Sequence, residues 1–323
     1  MMKLLVTGGA GFIGSNFIHY WLKKHPADEI INLDLLTYAG NLANLADIAD
    51  QKNYRFVKGD IASYEVVDEL VGQADCIVNF AAETHVDRSI GNSLVFVKTN
   101  IEGTANLLEA ARRHSVRFHQ VSTDEVYGDL GPNDPKFNEL SPYRPSSPYS
   151  ASKAAADHLV RAYYRTYNLP VTISNCSNNY GPYQYPEKII PLFITNLIED
   201  RKVPLYGQGS NIRDWIHVDD HNAGLEAILL YGRLGETYCL GGDHEISNLE
   251  LAKEIISLLG KDESYIEFVA DRPGHDWRYS IDFHKAKEEL GWEPHIDFIS
   301  GLESTVRWYQ EHEDWWRPLK TKV

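Results

Sequence analysis

Short apolar runs alternate with amphipathic stretches along the first half of the chain. The runs with the composition of strands are KLLVTGG, EIINLD, YRFVKGD, DCIVNFAA, RFHQVST and PVTISNCS. Helical patterns lie between most of them, including residues 12–24, 95–114 and 154–167. Because the strand candidates are rich in Val and Ile and do not alternate cleanly, they indicate a parallel sheet that is covered on both faces. We therefore predict an α/β fold with a doubly wound parallel sheet.

The second half of the chain has a different composition. Pro, Tyr and Gly become frequent after Asn178, and a helical pattern, VDDHNAGLEAILLY, then precedes one more strand candidate, TYCLGG. Further helical patterns follow at 249–259 and 301–311. We expect a sheet domain from 1–177 and about 217–242, and a smaller α/β lobe from about 178–216 and 243–323. The chain would then return once to the sheet.

The composition excludes several classes of partner. The 323 residues carry a net charge of -15, whereas nucleic acids and anionic membranes require a basic surface. No apolar run approaches the ~20 residues of a membrane span, and MMKLLVTGG leads into a strand pattern without a signal peptide. Cys76, Cys176 and Cys239 are scattered and odd in number, as in a reducing compartment. We expect a cytoplasmic protein that binds neither nucleic acid nor membrane.

The first strand candidate leads into TGGAGFIG, a glycine loop that opens a helix. Gly8, Gly11 and Gly14 have the spacing G-x-x-G-x-x-G, and Gly9, Gly11 and Gly14 also satisfy G-x-G-x-x-G. Glycine lets the backbone approach a pyrophosphate, which the helix N-terminus stabilises. The next strand ends in Asp34, about 20 residues further on, where a carboxylate holds the ribose hydroxyls and repels a 2′-phosphate. This Rossmann-like pattern predicts NAD as the cofactor; the alternative is a structural turn followed by a loop Asp.

Tyr149 and Lys153 form a Y-x-x-x-K pair directly after a Ser-Ser-Pro segment. The same spacing occurs at two other places in the chain, so the spacing alone does not indicate a functional pair. Proline is favoured at a helix start, and residues four apart on a helix share a face. An ammonium there stabilises a phenolate and lowers the pKa of the tyrosine from about 10. We predict a base for a hydroxyl proton; the alternative is a surface Tyr and Lys.

The segment STDEVYG places two adjacent carboxylates, Asp124 and Glu125, after the apolar run FHQV. Ligands of open α/β sheets bind at the carboxyl ends of the strands. An elimination needs a proton donor and a proton acceptor at once, and two carboxyl groups fill both roles if their environments separate their pKa values. The pair is therefore a candidate acid and base at this edge of the sheet. The alternative is a solvated Asp-Glu turn.

Nearly the whole chain resembles the extended short-chain dehydrogenase/reductase family of nucleotide-sugar enzymes, and most closely its 4,6-dehydratases. Two residues depart conservatively from the family pattern: Thr84 stands where Ser is expected, and Tyr185 where Phe is common. The resemblance rests on TGGAGFIG, LTYAGN, AAETHVDRSI, STDEVYGDL, SNNYGPYQYPEKIIP, YGQGSNIRDWIHVDDH and DRPGHDWRYSID, together with Tyr149 and Lys153.

The resemblance implies the conversion of dTDP-glucose to dTDP-4-keto-6-deoxyglucose. The implied steps are transient oxidation at sugar carbon 4, loss of water across carbons 5 and 6, and hydride return to carbon 6, with a tightly bound NAD regenerated in each turnover. By resemblance, Tyr149 with Lys153 takes the carbon 4 hydroxyl proton, and Thr123 hydrogen-bonds the oxygen on carbon 4. Glu125 removes the carbon 5 proton, and Asp124 protonates the departing hydroxyl.

The resemblance also implies ligand contacts, no metal site and a homodimer. The smaller lobe would bind the nucleotide sugar, with Arg213 and Arg272 suited to its diphosphate because guanidinium binds phosphate oxygens bidentately. His85 has an alternative reading as a core histidine. The implied cofactor contacts are Gly8, Gly11, Phe12, Ile13, Gly14, Asp34, Thr37, Asp60, Ile61, Ala81, Ala82, Thr99, Ser122, Tyr149, Lys153 and Asn178. The implied substrate contacts are His85, Thr123, Asp124, Glu125, Asn178, Glu187, Lys188, Tyr206, Arg213, Asn248, Arg272, His275 and Tyr279.

Three other functions remain open at this point. A nucleotide-sugar 4-epimerase of the same family removes and returns hydride at carbon 4 only, and it needs no carboxylate pair. A 4,6-dehydratase for another nucleotide sugar would differ in the loops that recognise the base. A non-catalytic NAD-binding sensor belongs to a different class, but such a protein is expected to lack Tyr149 or Lys153, and both are present.

Overall fold

A seven-stranded parallel sheet forms the centre of the protein. A computed structural model describes residues 1–271 and 274–320. The strands run in the order β3-β2-β1-β4-β5-β6-β10, and every neighbouring pair is parallel. The predicted doubly wound fold is therefore confirmed. The strands are Lys3–Thr7 (β1), Glu29–Asp34 (β2), Tyr54–Lys58 (β3), Cys76–Asn79 (β4), Arg117–Thr123 (β5), Val171–Cys176 (β6) and Thr237–Leu240 (β10).

The strand order reverses between β1 and β4, the place where such sheets bind ligands. Helices connect and flank the strands. The helices are Phe12–Lys24 (α1), Tyr64–Val71 (α2), Val86–Gly91 (α3), Ser93–Phe96 (α4), Thr104–His114 (α5), Pro148–Tyr167 (α6), Ile189–Ile198 (α7), Val218–Tyr231 (α8), Asn248–Leu258 (α9), His284–Leu290 (α10), Phe298–Glu311 (α11) and Glu313–Lys320 (α12). Short 3₁₀ turns lie at Leu42–Ile48, Asp124–Tyr127 and Glu263–Tyr265.

Both faces of the parallel sheet are buried, which explains the continuous apolar runs. Leu4 and Val6 of β1 pack on one face in a cluster with α1 and α8. Leu5, between them, points to the other face and joins a cluster with α2, α5 and α6. Successive strand residues point to opposite faces, so a strand that is covered on both sides has no polar positions to alternate with.

A second group of elements follows β6. Asn178–Tyr180 (β7), Ile212–His217 (β9) and Glu245–Ser247 (β11) form a three-stranded sheet in the order β11-β9-β7, and Val203–Tyr206 (β8) pairs with Ile266–Val269 (β12). Residues of α7, α9, α11 and α12 form a separate apolar cluster beside these strands. The assignment of the chain segments to two domains stays a prediction. No helix in the described ranges is both long and apolar enough to cross a membrane.

Two predicted helices differ from the observed ones at their starts. The pattern at 95–114 is observed as α4, a π-helical turn at Val97–Gly103, and α5. The pattern at 154–167 is the later part of α6, which begins at Pro148 because Ser147 caps it. The Ser147 hydroxyl accepts from the Ser150 N–H, and the Ser150 hydroxyl accepts from the Ser147 N–H. This capping box fixes the first turn, which carries Tyr149.

Candidate active site

The glycine loop connects β1 to α1 with almost no room for side chains. Gly8 has a φ of +71°, and a Cβ on it would lie 2.6 Å from the backbone nitrogen of Ala81. A Cβ on Gly14 would lie 2.5 Å from the carbonyl oxygen of Gly8. Gly11 caps α1 without a side-chain hydrogen bond, so the first N–H groups of this helix have no side-chain cap. Such an N-terminus fits the pyrophosphate of a dinucleotide.

Asp34 stabilises this loop from the end of β2. Its Oδ2 accepts from the Ala10 N–H at 2.9 Å, and its Oδ1 accepts from the Leu36 N–H at 2.7 Å. Burial raises the pKa of the Asp34 carboxyl, and the two backbone N–H groups oppose that rise. Each carboxylate oxygen has a second lone pair, so Asp34 also fits the ribose hydroxyls that the sequence predicts for it.

Tyr149 and Lys153 lie one turn apart on α6, and both are buried. The Lys153 Nζ donates to the Val121 carbonyl at 2.8 Å. The Thr123 side chain is near enough to Tyr149 to oppose part of the rise in its pKa. Burial and the nearby Glu125 carboxylate raise the pKa of Tyr149 well above its ordinary value. The sequence predicts a lowering by Lys153. The direction differs because Tyr149 is buried beside the Glu125 and Asp124 carboxylates, which disfavour a phenolate.

Asp124 and Glu125 have different environments although they are adjacent. Both follow β5, in the first turn of the 3₁₀ helix. Asp124 is 1% exposed, and its Oδ2 has no hydrogen-bond partner among the described residues. Burial, with the neighbouring Glu125 and Asp214 carboxylates, raises the pKa of Asp124 well above its ordinary value. Glu125 is only half-buried. The structure therefore favours a protonated Asp124 beside a more solvated Glu125.

Two cavities meet at the carboxyl ends of the strands. The first, which we call the glycine-loop cavity, has a volume of about 270 Å³ and is lined by the start of α1, the end of β5, Tyr149 and Lys153. The second, the adjoining cavity, has a volume of about 710 Å³. Glu125, Asn178, Glu187, Lys188 and other residues line both cavities. A ligand in the adjoining cavity can thus reach the reactive groups of the first.

The cavities bring together most of the predicted site residues. The glycine-loop cavity is lined by Gly8, Phe12, Ile13, Gly14, Ala82, Ser122, Thr123, Asp124, Glu125, Tyr149, Lys153, Asn178, Glu187 and Lys188. The adjoining cavity is lined by His85, Glu125, Asn178, Glu187, Lys188, Tyr206, Arg213, Asn248, His275 and Tyr279. Arg272 lies outside the described residues.

Several predicted cofactor residues do not line either cavity. They lie at the end of β2, in the loops after β1 to β4, and in the π-helical turn. Among them, Asp60 accepts from the Ala62 N–H and pairs with Lys98, and Ile61 is buried. The full set is Gly11, Asp34, Thr37, Asp60, Ile61, Ala81 and Thr99.

Buried polar atoms in the cavity walls fit a polar ligand. The Glu187 Oε1, Asn178 Oδ1, Asn248 Oδ1 and His85 Nδ1 atoms have no hydrogen-bond partner among the described residues. Such atoms are costly to bury unless something pairs with them. His85 lines the adjoining cavity, so its reading as a core histidine does not describe its position.

Sequence reasoning did not single out three residues of the cavity walls. Tyr38 lines the glycine-loop cavity, and Trp215 lines both cavities. Arg88 lies 3.7 Å over the Tyr38 ring and donates to the Glu187 carboxylate at 3.1 Å. All three belong to segments that carry the family resemblance, LTYAGN, AAETHVDRSI and IRDWIHVDDH. Membership of these motifs could therefore have identified them, although their residue types alone did not.

Comparisons with known proteins agree with this geometry. A family model described as GDP-mannose 4,6 dehydratase matches residues 5–305. The dTDP-glucose 4,6-dehydratase of Mycolicibacterium smegmatis is 53% identical over 324 residues, which cover 100% of this chain and 97% of that protein.

Solved structures extend the comparison. A dTDP-glucose 4,6-dehydratase from Streptomyces venezuelae, crystallised with NAD bound, has a TM-score of 0.96 and 52% identity, over 98% of this chain and 100% of that one. A UDP-glucose 4-epimerase from Thermotoga maritima has a TM-score of 0.89 but only 27% identity, over 96% of this chain and 99% of that one. The chain therefore has closer similarity to dehydratases than to this epimerase.

Proposed function

The chain belongs to the family described as GDP-mannose 4,6 dehydratase, and we propose that it is a hydro-lyase that uses NAD to convert dTDP-glucose to dTDP-4-keto-6-deoxyglucose. The observation that carries this proposal is the contrast between Asp124 and Glu125 beside Tyr149. Asp124 and Glu125 line the same cavity but differ in burial, which gives an elimination the separate acid and base that it needs. The similarity to dTDP-glucose 4,6-dehydratases names the sugar nucleotide.

The glycine loop and Asp34 would hold NAD with its pyrophosphate at the start of α1. Bound NAD supplies a hydride acceptor for sugar carbon 4 and then a hydride donor for carbon 6. Tyr149 takes the proton of the carbon 4 hydroxyl, and Thr123, which lines the same cavity, orients that oxygen. Because burial and Glu125 raise the pKa of Tyr149, the phenolate needs the positive charges of Lys153 and of the oxidised cofactor to form.

The carboxylates act once carbon 4 is a ketone. The ketone acidifies the hydrogen on carbon 5, and Glu125 removes that proton. Asp124, which burial keeps protonated, donates its proton to the departing hydroxyl on carbon 6, so that one water leaves. After the hydride reaches carbon 6, carbon 5 regains a proton. If Glu125 supplies that proton, Tyr149 still holds one proton and Asp124 still lacks one, and exchange with solvent restores both groups to their starting protonation.

The adjoining cavity fits the rest of the substrate. Arg213 is buried, its guanidinium lies 4.2 Å over the Tyr279 ring, and it donates to the Asp276 carbonyl at 3.0 Å. A guanidinium held in this way suits a diphosphate because its planar donors match phosphate oxygens. The volume of about 710 Å³ lies within the range of small-ligand sites. We assign the nucleotide and diphosphate to this cavity.

The protein is proposed to act as a cytoplasmic homodimer. The segment from α3 to the π-helical turn exposes Ile90, Leu94 and Val97, which are 49%, 76% and 47% exposed. Ile90 precedes the non-helical Asn92 and the other two follow it, and we call this exposed set the apolar stripe. Exposed apolar side chains in one stripe mark association sites, and a second copy of the chain supplies a matching apolar face. The three cysteines are buried thiols outside any disulfide, which supports a reducing compartment.

The proposal is tested by incubating the purified protein with dTDP-glucose in deuterated water, without added NAD. We expect a product that has lost one water and carries deuterium at carbon 5, detected by mass spectrometry. An unchanged mass with an inverted carbon 4 would instead identify a 4-epimerase. Retained NAD without turnover of any nucleotide sugar would favour the sensor.

Glu125→Gln separates oxidation from elimination. Because only the second step uses the Glu125 carboxylate, we expect dehydration to fall by about 10²-fold or more, while the bound cofactor still becomes reduced on mixing with substrate. Absorbance of reduced nicotinamide and product mass measure the two steps. Glu69→Gln makes the same chemical change at an exposed position of α2 and should leave both readouts unchanged. Normal dehydration by Glu125→Gln would contradict the role given to Glu125.

A further inference from the structure

Three ionisable side chains occupy one face of α6. Tyr149, Lys153 and Asp157 are spaced four residues apart, so they lie one above the other along the helix. Asp157 is fully buried, and it does not line either cavity. Neither the proposed mechanism nor the family motif uses this carboxylate. A buried acid beside a catalytic pair nevertheless calls for a physical reason.

Asp157 holds the end of β5. Its Oδ2 accepts from the Ser122 hydroxyl at 2.7 Å and from the Tyr143 hydroxyl at 3.0 Å. Lys153 donates to the Val121 carbonyl, which belongs to the residue immediately before Ser122. Two adjacent residues of β5 are therefore tied to the same face of α6. The next residues along the strand are Thr123, Asp124 and Glu125, so these two contacts fix the position from which the reactive segment projects.

Asp157 also compensates the charge of Lys153. Burial lowers the pKa of Lys153, and the attraction of the Asp157 carboxylate is the largest effect that opposes this lowering, followed by that of Cys176 on β6. Burial raises the pKa of Asp157, while Lys153, Ser122, Arg161 and Tyr143 favour its ionised form. The Asp157 Oδ1 has no hydrogen-bond partner among the described residues. The buried ammonium and the buried carboxylate thus stabilise each other's charged forms.

We propose that Asp157 is a positioning residue, which keeps Lys153 protonated and anchors Ser122 so that Tyr149 and the Asp124-Glu125 pair face the same substrate atoms. The inference rests on the proposed function, because it assigns Lys153 a catalytic charge. A merely structural Asp157 would affect folding and the amount of active protein. A positioning Asp157 also affects the protonation of Lys153 in the folded protein.

The test compares Asp157→Asn with Tyr143→Phe. Asp157→Asn keeps the size of the side chain and an acceptor for Ser122 but removes the charge. Tyr143→Phe removes a hydrogen bond to the same Oδ2 and leaves the charge. For Asp157→Asn we expect kcat to fall roughly 10- to 100-fold with KM for dTDP-glucose within about twofold. The alkaline limb of the kcat profile should move to lower pH by about one unit, because Lys153 loses its proton more easily.

Tyr143→Phe should leave the alkaline limb in its wild-type position. Asp157→Glu restores a carboxylate, so its alkaline limb should lie closer to the wild-type position than that of Asp157→Asn. Trace acetylation of the ligand-free proteins, followed by peptide mass spectrometry across pH, measures the protonation of Lys153 without turnover. The pH at which Lys153 acetylation is half-maximal should be lower in Asp157→Asn than in the wild type. Thermal unfolding verifies that each variant is folded.

The outcomes separate the two proposals. A wild-type protein that leaves dTDP-glucose unchanged overturns the proposed function, and the acetylation midpoint still decides the relation between Asp157 and Lys153. An active wild type whose alkaline limb and acetylation midpoint do not move in Asp157→Asn overturns the positioning role. An equal shift in Tyr143→Phe would also overturn it, since the effect would then come from the hydrogen bond and not from the charge.

Discussion

Two neighbouring carboxyl groups acquire different chemistry here because one is buried and the other is half-buried. Asp124 and Glu125 are equivalent in the sequence, and either assignment of acid and base is chemically reasonable from STDEVYG alone. The fold separates them, since the 3₁₀ turn after β5 directs Asp124 into the core and leaves Glu125 at the junction of the cavities. The residue types predict only the pair of groups. The family resemblance assigns Asp124 as the proton donor, and its burial supports that proposed role.

Burial of Asp124 predicts a pH-dependent stability. Because its pKa is raised in the folded protein, its contribution to stability is full below about pH 4 and is lost as the pH rises through the folded pKa. Asp124→Asn removes the ionisable group, so this variant does not lose that stability as the pH rises. We therefore expect the variant to gain in free energy of unfolding relative to the wild type between pH 5.5 and pH 8, by roughly 0.5–2 kcal/mol.

Urea unfolding at the two pH values measures this gain. Asp50→Asn is the matched control, because Asp50 is exposed and its substitution should give the same difference at both pH values. A variant that loses stability relative to the wild type as the pH rises would contradict the burial argument.

At the scale of elements, the glycine loop was predictable and the capping of α6 was only partly so. The spacing of Gly8, Gly11 and Gly14 is a local pattern, and the loop has the strand-to-helix context that the pattern requires. Pro148 signals the start of α6, but the apolar periodicity begins only near residue 154 because the first turn faces the cavity. This first turn lacks the apolar pattern that predicts helices, so Pro148 and the capping residues are its local signals.

Gly14→Ala tests the loop as an element that binds the cofactor. Its Cβ would lie 2.5 Å from the Gly8 carbonyl oxygen, so the loop and the start of α1 must separate. We expect the purified variant to carry at least about tenfold less NAD than the wild type, since the pyrophosphate loses its close approach to the backbone. Chromatography of the cofactor released by denaturation measures the NAD content.

Gly91→Ala provides the control for this substitution. It makes the same change at the end of α3, where a Cβ would meet nothing within 4 Å. The control should retain the NAD content of the wild type. If Gly14→Ala retained it as well, the glycine loop would not be the pyrophosphate site.

At the scale of the whole molecule, the parallel sheet followed from the sequence but the cavities did not. Leu4, Leu5 and Val6 read as one apolar run, and the sheet is indeed covered on both faces. The junction of the cavities depends on contacts between distant segments, such as Arg88 with Glu187, which are 99 residues apart. Such pairings have no local sequence pattern. Without the structure, only the family resemblance predicts that residues from these distant segments share one site.

The proposed dimer gives a prediction for the whole molecule. Leu94 is 76% exposed on the segment from α3 to the π-helical turn, and Leu94→Glu would place a charge in the apolar stripe. We expect the wild type to sediment as a dimer and Leu94→Glu to sediment as a monomer at micromolar concentration. Leu140→Glu is the control: Leu140 is 94% exposed but lies outside this stripe, so its substitution should leave the dimer intact. A Leu94→Glu protein that remains dimeric would place the interface elsewhere.

The position of β10 in the sheet has a consequence for synthesis of the chain. β10 covers the outer edge of β6, yet it is translated only after the small sheet strands β7 to β9 and α8. All six residues of β6 are buried in the finished protein. The ribosome adds ~5–20 residues per second, so the stretch from residue 176 to residue 240 leaves the backbone N–H and C=O groups of this edge unpaired for roughly 3–13 s. The nascent chain is therefore expected to need a chaperone most in that interval.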